Sequence, residues 1–245
     1  MSEISRRKLI AGGLTAAAGV AGAAAGVRTA QHLGLIPPNT GSLYVPGDTL
    51  TYASQRLLTN HTLAREFSRS QISAKPFANG DLPAGDDFKR LEAGNFADWK
   101  LSIEGMVARP TTLSLAEIKS FPSRSQITHI ACEEGWSYIA EWIGAPLSHV
   151  LDLAGVMPQA RYVVYFSIQR GWFDSIDMSD ALHPQTVLAH GMNGGELPVP
   201  FGGPLRMRVP RQLGYKNVKY IARLKVTDTL KGDEPQSDYS WYAGI

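Results

Sequence analysis

Cys132 is the only cysteine in a chain of 245 residues, so no covalent staple can hold the fold. That excludes a disulfide scaffold, and also a zinc or iron–sulfur site built from the thiolates of one chain. Stability has to come from a buried apolar core. The means are present: 44% of the residues are hydrophobic and 19% are charged, outside the compositional range of a disordered polymer.

The first 30 residues stand apart. Ser5-Arg6-Arg7-Lys8-Leu9-Ile10 precedes an Ala/Gly-rich run to Val27. A basic start followed by a weakly apolar stretch is a sorting signal, and paired arginines point to the twin-arginine route, hence to the periplasm. Gly12, Gly13, Gly19, Gly22 and Gly26 make the run a poor permanent membrane span; an uncleaved anchor is the alternative. Without this segment 20 bases face 21 acids, and the whole chain carries only +2. Neither figure describes a polycationic nucleic-acid binder.

Residues 31–85 are rich in Pro, Gly, Asn and Ser and read as irregular, wrapping structure. Residues 86–245 read as the remainder of a single α+β domain. Strands are expected over 99–107, 125–132, 161–168, 205–209 and 219–226, from alternation and β-branched content. A short helix over 114–119 starts from a Ser or Thr cap. Leu147, Val150, Leu151 and Ala154 fall at helical spacing before Gly155. Neither a repeat nor regular βαβ alternation appears.

Three features could carry chemistry. Cys132 ends a strand at an acidic turn, Glu133-Glu134-Gly135, a usual place for a working side chain. His129 lies three residues back, and odd spacing on a strand sends it to the opposite face, which disfavours a local Cys–His pair. A soft metal ligand remains open for the thiolate, provided that a sulfur-bearing cofactor supplies the other ligands. The second feature is residues 201–225, with seven bases and no acid. There Arg206 and Arg208 share a strand face, and Gly214-Tyr215-Lys216 offers backbone N–H groups beside a lysine, the makings of an anion nest. Arg211, Lys219, Arg223 and Lys225 read as a solvated basic face. The third, Asn60-His61, reads alone as turn chemistry. Asn193-Gly194 marks a tight turn, with His190 nearby structural.

Taken together, several windows in order resemble the molybdopterin domain of the sulfite oxidase family, from about Gln55 onward. They are Cys132-Glu133-Glu134-Gly135-Trp136-Ser137 followed by Trp142-Ile143-Gly144-Ala145-Pro146-Leu147, then residues 179–194, then Gly203-Pro204-Leu205-Arg206 through Gly214-Tyr215-Lys216. The resemblance is closest to the exported bacterial branch that includes a periplasmic protein-methionine-sulfoxide reductase. It implies a mixed-sheet fold with short helices. No C-terminal immunoglobulin-like domain is expected, since the chain ends at Ile245.

The resemblance further implies one molybdenum atom on one molybdopterin, without a dinucleotide. Cys132 is the implied metal ligand and catalytic residue. Asn60, His61 and Ser167 are placed at the cofactor, Arg206 at its phosphate, and Gly214, Tyr215 and Lys216 in the cradle. Trp136, Trp172 and either Tyr239 or Tyr242 are substrate-pocket candidates. Two departures stand out: Phe201 replaces the Asn or His usual five residues before the motif arginine, and Thr59 replaces the Arg that precedes Asn-His in sulfite oxidases. Loss of that guanidinium favours a neutral substrate over sulfite. The expected activity is two-electron oxygen-atom transfer at sulfur, as in sulfoxide reduction, by a monomeric catalytic subunit. Its electrons come from a separate haem-containing partner, which could be membrane-bound, since the sequence offers no haem-attachment Cys pair. Sulfite oxidation with a cytochrome acceptor is the alternative reaction, and a cofactor-free binding or scaffold module the alternative class.

Overall fold

Residues 45–230 and 241–242, with positions 22, 25, 26, 29, 30 and 35–37, are described by a computed structural model. The paired arginines of the leader and Tyr239 lie outside the described residues.

The chain enters through α1 (Val45–Leu58), a 3-10 turn at Arg69–Gln71 and α2 (Asp86–Ala93). Next come β1 (Lys100–Gly105), β2 (Thr111–Ser114), α3 (Leu115–Ser120), β3 (Arg124–Ala131) and β4 (Ser137–Pro146). α4 (Leu147–Ala154) leads to β5 (Tyr162–Ser167), β6 (Phe173–Asp177) and the short α5 (Met178–Ala181). The rest is β7 (Val187–Met192), β8 (Gly195–Glu196), β9 (Arg206–Arg208) and β10 (Ile221–Thr227), with 3-10 turns at Val199–Phe201 and Gly214–Lys216.

Two five-stranded sheets result. One runs β2-β1-β10-β5-β6; the other runs β3-β4-β7-β8, with β9 paired to β7. β1 and β10 are parallel, Ser102 opposite Arg223. The main core joins both sheets: Leu101 and Ile103 of β1, Tyr165 of β5 and Leu224 of β10 share it with Ala145 of β4, Leu188 of β7 and Met207 of β9. Leu147, Val150, Leu151 and Ala154 of α4 complete it. This is the mixed-sheet, short-helix α+β architecture expected from the sequence.

Several local signals fold as read. Ser114 caps α3, accepting from the Glu117 N–H at 3.2 Å while the Glu117 carboxylate accepts from the Ser114 N–H at 2.7 Å. Such a reciprocal cap is worth about 1 kcal/mol. Gly155 ends α4 at φ 70°, a left-handed conformation that glycine reaches without strain. Asn193 and Gly194, at φ 51° and 83°, turn β7 into β8, as Asn-Gly does in tight hairpins.

Helix α1 corrects the irregular reading of residues 31–85. It is hard to see because it is not held by an apolar stripe: Leu50, Leu57 and Leu58 face outward, while Tyr52 and Arg56 are buried. Those two sit one turn apart and bind acids far along the chain, Asp177 and Asp180. Among the described residues no helix is long and apolar enough to cross a membrane.

Candidate active site

β3 delivers Cys132 to the start of the β3–β4 loop. The loop is pinned at both ends, because the Cys132 N–H donates to the Trp136 carbonyl at 3.0 Å and the Gly135 N–H to the Cys132 carbonyl at 3.0 Å. Cys132 is only 9% exposed. Burial pushes its thiol up to about 11, and the Glu133 and Glu134 carboxylates push the same way. The free side chain is therefore a thiol at neutral pH, which a soft metal would deprotonate on binding. Among the described residues no imidazole lines the cavity it faces, so none of them offers a base for a thiol–histidine nucleophile.

That cavity has a volume of about 280 Å³. Cys132 and Trp136 line it together with Arg206 and Lys219. Gly214, at the start of a 3-10 turn, closes against the thiol. A Cβ there would stand 3.0 Å from Cys132 Cβ and 3.2 Å from its Sγ. Any side chain at this position would compete with a ligand for the space beside sulfur.

The cationic lining is unusual for what it lacks. Arg206 is 3% exposed, and Arg208 behind it fully buried. Their guanidinium groups lie 5.1 and 5.5 Å from the Trp142 ring. Arg206 donates to the carbonyls of Phe201 and Asn217, both at 2.7 Å. Arg208 donates to Asn217 Oδ1, Thr128 Oγ1 and the His129 carbonyl. Each Nε remains buried without a hydrogen-bond partner, and neither residue forms an ion pair, among the described residues. Burial pulls Arg206 below its ordinary value; burial and then Arg206 bring Arg208 down to about 9 and Lys219 to about 8. Lys219 donates to the carbonyls of Asn79 and Pro200. Three cations converge here without a carboxylate among the described residues, which is the electrostatic condition for taking up an anion.

A few residues away the reverse holds. Arg56 donates to Asp177 and Asp180, both at 2.7 Å, Arg211 approaches Asp180 at 3.8 Å, and Lys216 binds Asp174 at 2.6 Å. Lys216 Nζ also donates to the Ser175 carbonyl at 2.9 Å, and its own carbonyl accepts from Tyr165 at 2.8 Å. Three cations meet three carboxylates, and each charge is compensated.

This division sorts the residues singled out in the sequence. Cys132, Trp136, Ser167, Trp172, Arg206, Gly214 and Tyr215 line the cavity. Lys216 does not; its ammonium is spent on Asp174. Asn60 and His61 lie off the cavity too, because Arg211 holds the Thr59 and Asn60 carbonyls at 2.9 and 2.7 Å, tying that loop to the compensated cluster. Tyr242 packs on Tyr52 and donates to Gln55 Oε1 at 2.6 Å, also away from the cavity. Phe201 lines the wall beside Tyr138 and gives Arg206 its backbone carbonyl. The solvated reading fails for Arg211, 6% exposed, and for Lys219. The segment 77–81 and Asn217-Val218-Lys219 line the cavity without having been singled out. Lys219 was legible only as one base among seven.

No group of three or more His, Cys, Asp or Glu side chains is placed to hold a metal among the described residues. A metal at Cys132 must therefore bring other ligands with it. One thiol, a glycine-lined space beside it and buried cations without a carboxylate partner among the described residues fit a cofactor that carries both sulfur and an anion.

Comparison with known proteins points the same way. Residues 89–233 match the family described as the oxidoreductase molybdopterin-binding domain. The YedZ1 protein of Azospira oryzae is 36% identical over 190 residues, covering 77% of this chain and 70% of that protein. The protein-methionine-sulfoxide reductase catalytic subunit of Campylobacter jejuni is 29% identical over 210 residues, 79% of this chain and 65% of that one. Its counterpart in Xanthomonas campestris is 30% identical over 179 residues, 65% and 56% respectively. The crystal structure of the sulfane dehydrogenase SoxCD from Paracoccus pantotrophus superposes with a TM-score of 0.53 at 21% identity, over 69% of this chain and 46% of that one. That likeness concerns the fold alone.

Proposed function

Because this chain belongs to the oxidoreductase molybdopterin-binding domain family, whose cofactor is a molybdopterin, we propose that it is an exported molybdenum enzyme reducing sulfoxides, with protein-bound methionine sulfoxide as the substrate class. The observation that carries this is the single cavity joining the Cys132 thiol to the uncompensated Arg206. The names of the Campylobacter and Xanthomonas relatives supply the substrate class. The paired arginines at Arg6-Arg7 support export to the periplasm, and the lack of any haem-attachment motif supports a separate haem-containing electron donor.

When bound, the molybdenum–pterin group supplies the oxygen-atom transfer: the S–O bond breaks, two electrons reduce sulfur, and two protons leave with the oxygen as water. The chain's own residues bind and orient. Cys132 would hold the metal through its sulfur, as a thiolate. Arg206 and Lys219 would receive the group's anionic end. Gly214 leaves room beside the thiol, and Trp136, Tyr138 and Phe201 wall the cavity against water. Ser167, whose Oγ accepts from the Gln169 N–H at 3.1 Å, lines the same wall.

The test is turnover by the loaded full chain with a reduced viologen dye as donor. Methionine sulfoxide should reoxidise the dye stoichiometrically, one sulfoxide per two electrons, and Cys132→Ser should lose this activity by at least a hundredfold. A loaded enzyme that ignores sulfoxides but reduces the oxidised dye with sulfite would overturn the proposal.

A further inference from the structure

The mouth of the cavity differs in sign from its floor. Asp81, Glu133 and Glu134 are exposed carboxylates in its lining, whereas Arg206 at the floor is buried. Glu134 is not a loose surface charge: Trp136 Nε1 and Asn79 Nδ2 each donate to its Oε2 at 2.7 Å, which fixes it at the rim. Two large apolar side chains line the same cavity. Trp172 is 61% exposed and Phe77 51%, and Phe77 rests 5.9 Å from the Trp136 ring.

Exposed aromatics in a concave, charged setting mark a contact surface. Nothing of the opposite sign neutralises this rim among the lining residues. Lys219 is turned to backbone carbonyls, and Arg170, on the same turn as Trp172, is not part of the lining. With an anionic cofactor occupying the floor, Arg206 and Lys219 are compensated and the three rim carboxylates dominate what an incoming substrate meets. Such a rim repels small oxyanions and attracts a segment that presents cations and apolar groups together.

We propose that this mouth is a docking groove for an extended polypeptide substrate whose reacting residue is flanked by lysine or arginine. The inference rests on the sulfoxide-reductase reading and deepens it: Trp172 and Phe77 receive the chain, while Asp81, Glu133 and Glu134 select its charge. Substrate chains with acidic flanks are discriminated against at the binding step.

The test is fluorescence anisotropy with the molybdenum-loaded full chain and two labelled unstructured peptides. These are identical except that methionine sulfoxide is flanked by two lysines in one and two glutamates in the other. The lysine peptide should bind about tenfold tighter at low salt, the sum of a few exposed charge pairs, with the gap closing at high salt. Asp81→Lys should cut the preference to about threefold or less, and Trp172→Ala should weaken both peptides alike. Equal binding of the two peptides, or a preference untouched by Asp81→Lys, would overturn the inference. So would binding of a basic cytochrome with neither peptide bound, which would assign the mouth to the electron donor. Charge-selective binding without sulfoxide turnover would leave the groove standing and sink the reductase reading. Turnover of both peptides with equal affinity would do the opposite.

Discussion

Arg211 and Lys216 on one side, and Arg206, Arg208 and Lys219 on the other, come from one stretch, residues 206–219, yet their surroundings are opposite. The first two sit among Asp174, Asp177 and Asp180. The other three meet carbonyls, hydroxyls and the Trp142 ring, with no carboxylate among the described residues. Burying a cation is costly in either place. In the first cluster the chain supplies the counter-charge itself, so the cluster serves the fold, fastening α1 to β6 and α5. In the second the counter-charge is left to a ligand, so the cluster is poised for binding at some expense in stability.

The sharpest way to break this comparison is to remove a counter-charge. Asp180→Asn strands Arg211, leaves Arg56 only Asp177, and should cost about 3–5 kcal/mol, read by urea denaturation. Arg206→Met in cofactor-free protein should change stability by no more than about 1 kcal/mol, or raise it, because an uncompensated buried charge is replaced by an apolar side chain. If the two substitutions cost the same, the distinction between the clusters is wrong. Lys216→Met comes next. It leaves Asp174 buried without its ammonium partner and should lose about 3 kcal/mol, since Lys216 acts through the turn that carries Gly214 and not by touching the ligand.

Smaller effects sharpen the binding side. Gly214→Ala sets a methyl group against Cys132 and Trp136. We expect a loss of about 1–3 kcal/mol in stability but a severalfold fall in pterin content of the purified chain, measured by fluorescence after oxidative release. Equal pterin content would show that the space beside sulfur is not used. The mildest test is pH. Lys219 is held at about 8 by burial first and Arg206 second, below its ordinary value, so an anion that favours its charged form binds best below that value. Sulfate affinity of the cofactor-free protein, by calorimetry, should fall roughly three- to tenfold between pH 7 and pH 9, and Lys219→Met should flatten the dependence. Sulfate keeps a constant charge across this window; Arg208, brought down to about 9, adds to the fall only toward the upper end, so the part that Lys219→Met removes belongs to the lysine.

Much of this was legible in the residues. The Ser114–Glu117 cap, the Gly155 stop, the Asn193-Gly194 turn and Cys132 at a strand end each depend on near neighbours, and near neighbours are what a sequence displays. The acid-free run 201–225 marked the right segment for the anion site, and Arg206 the right strand position. What stayed hidden depends on distant partners. Strand alternation says which face a base occupies but not whether a carboxylate waits across from it. Asp174 meets Lys216 from 42 positions away, so the choice between Lys216 and Lys219 could not be made from the segment alone. α1 was missed for the same reason, its buried side being a tyrosine and an arginine that answer to Asp177 and Asp180. The 77–81 segment looked like a loop and is one; only the fold brings it over Cys132.

If the uncompensated cluster holds the anionic end of a molybdopterin, cofactor content must depend on Arg206. The most direct measurement is molybdenum and pterin per chain, for the full chain and Arg206→Met, after expression in a host that makes the cofactor. About one of each is expected in the unaltered protein and under a tenth of that in the variant, with both chains equally folded by circular dichroism. An Arg206→Met protein that retains its full complement would contradict it.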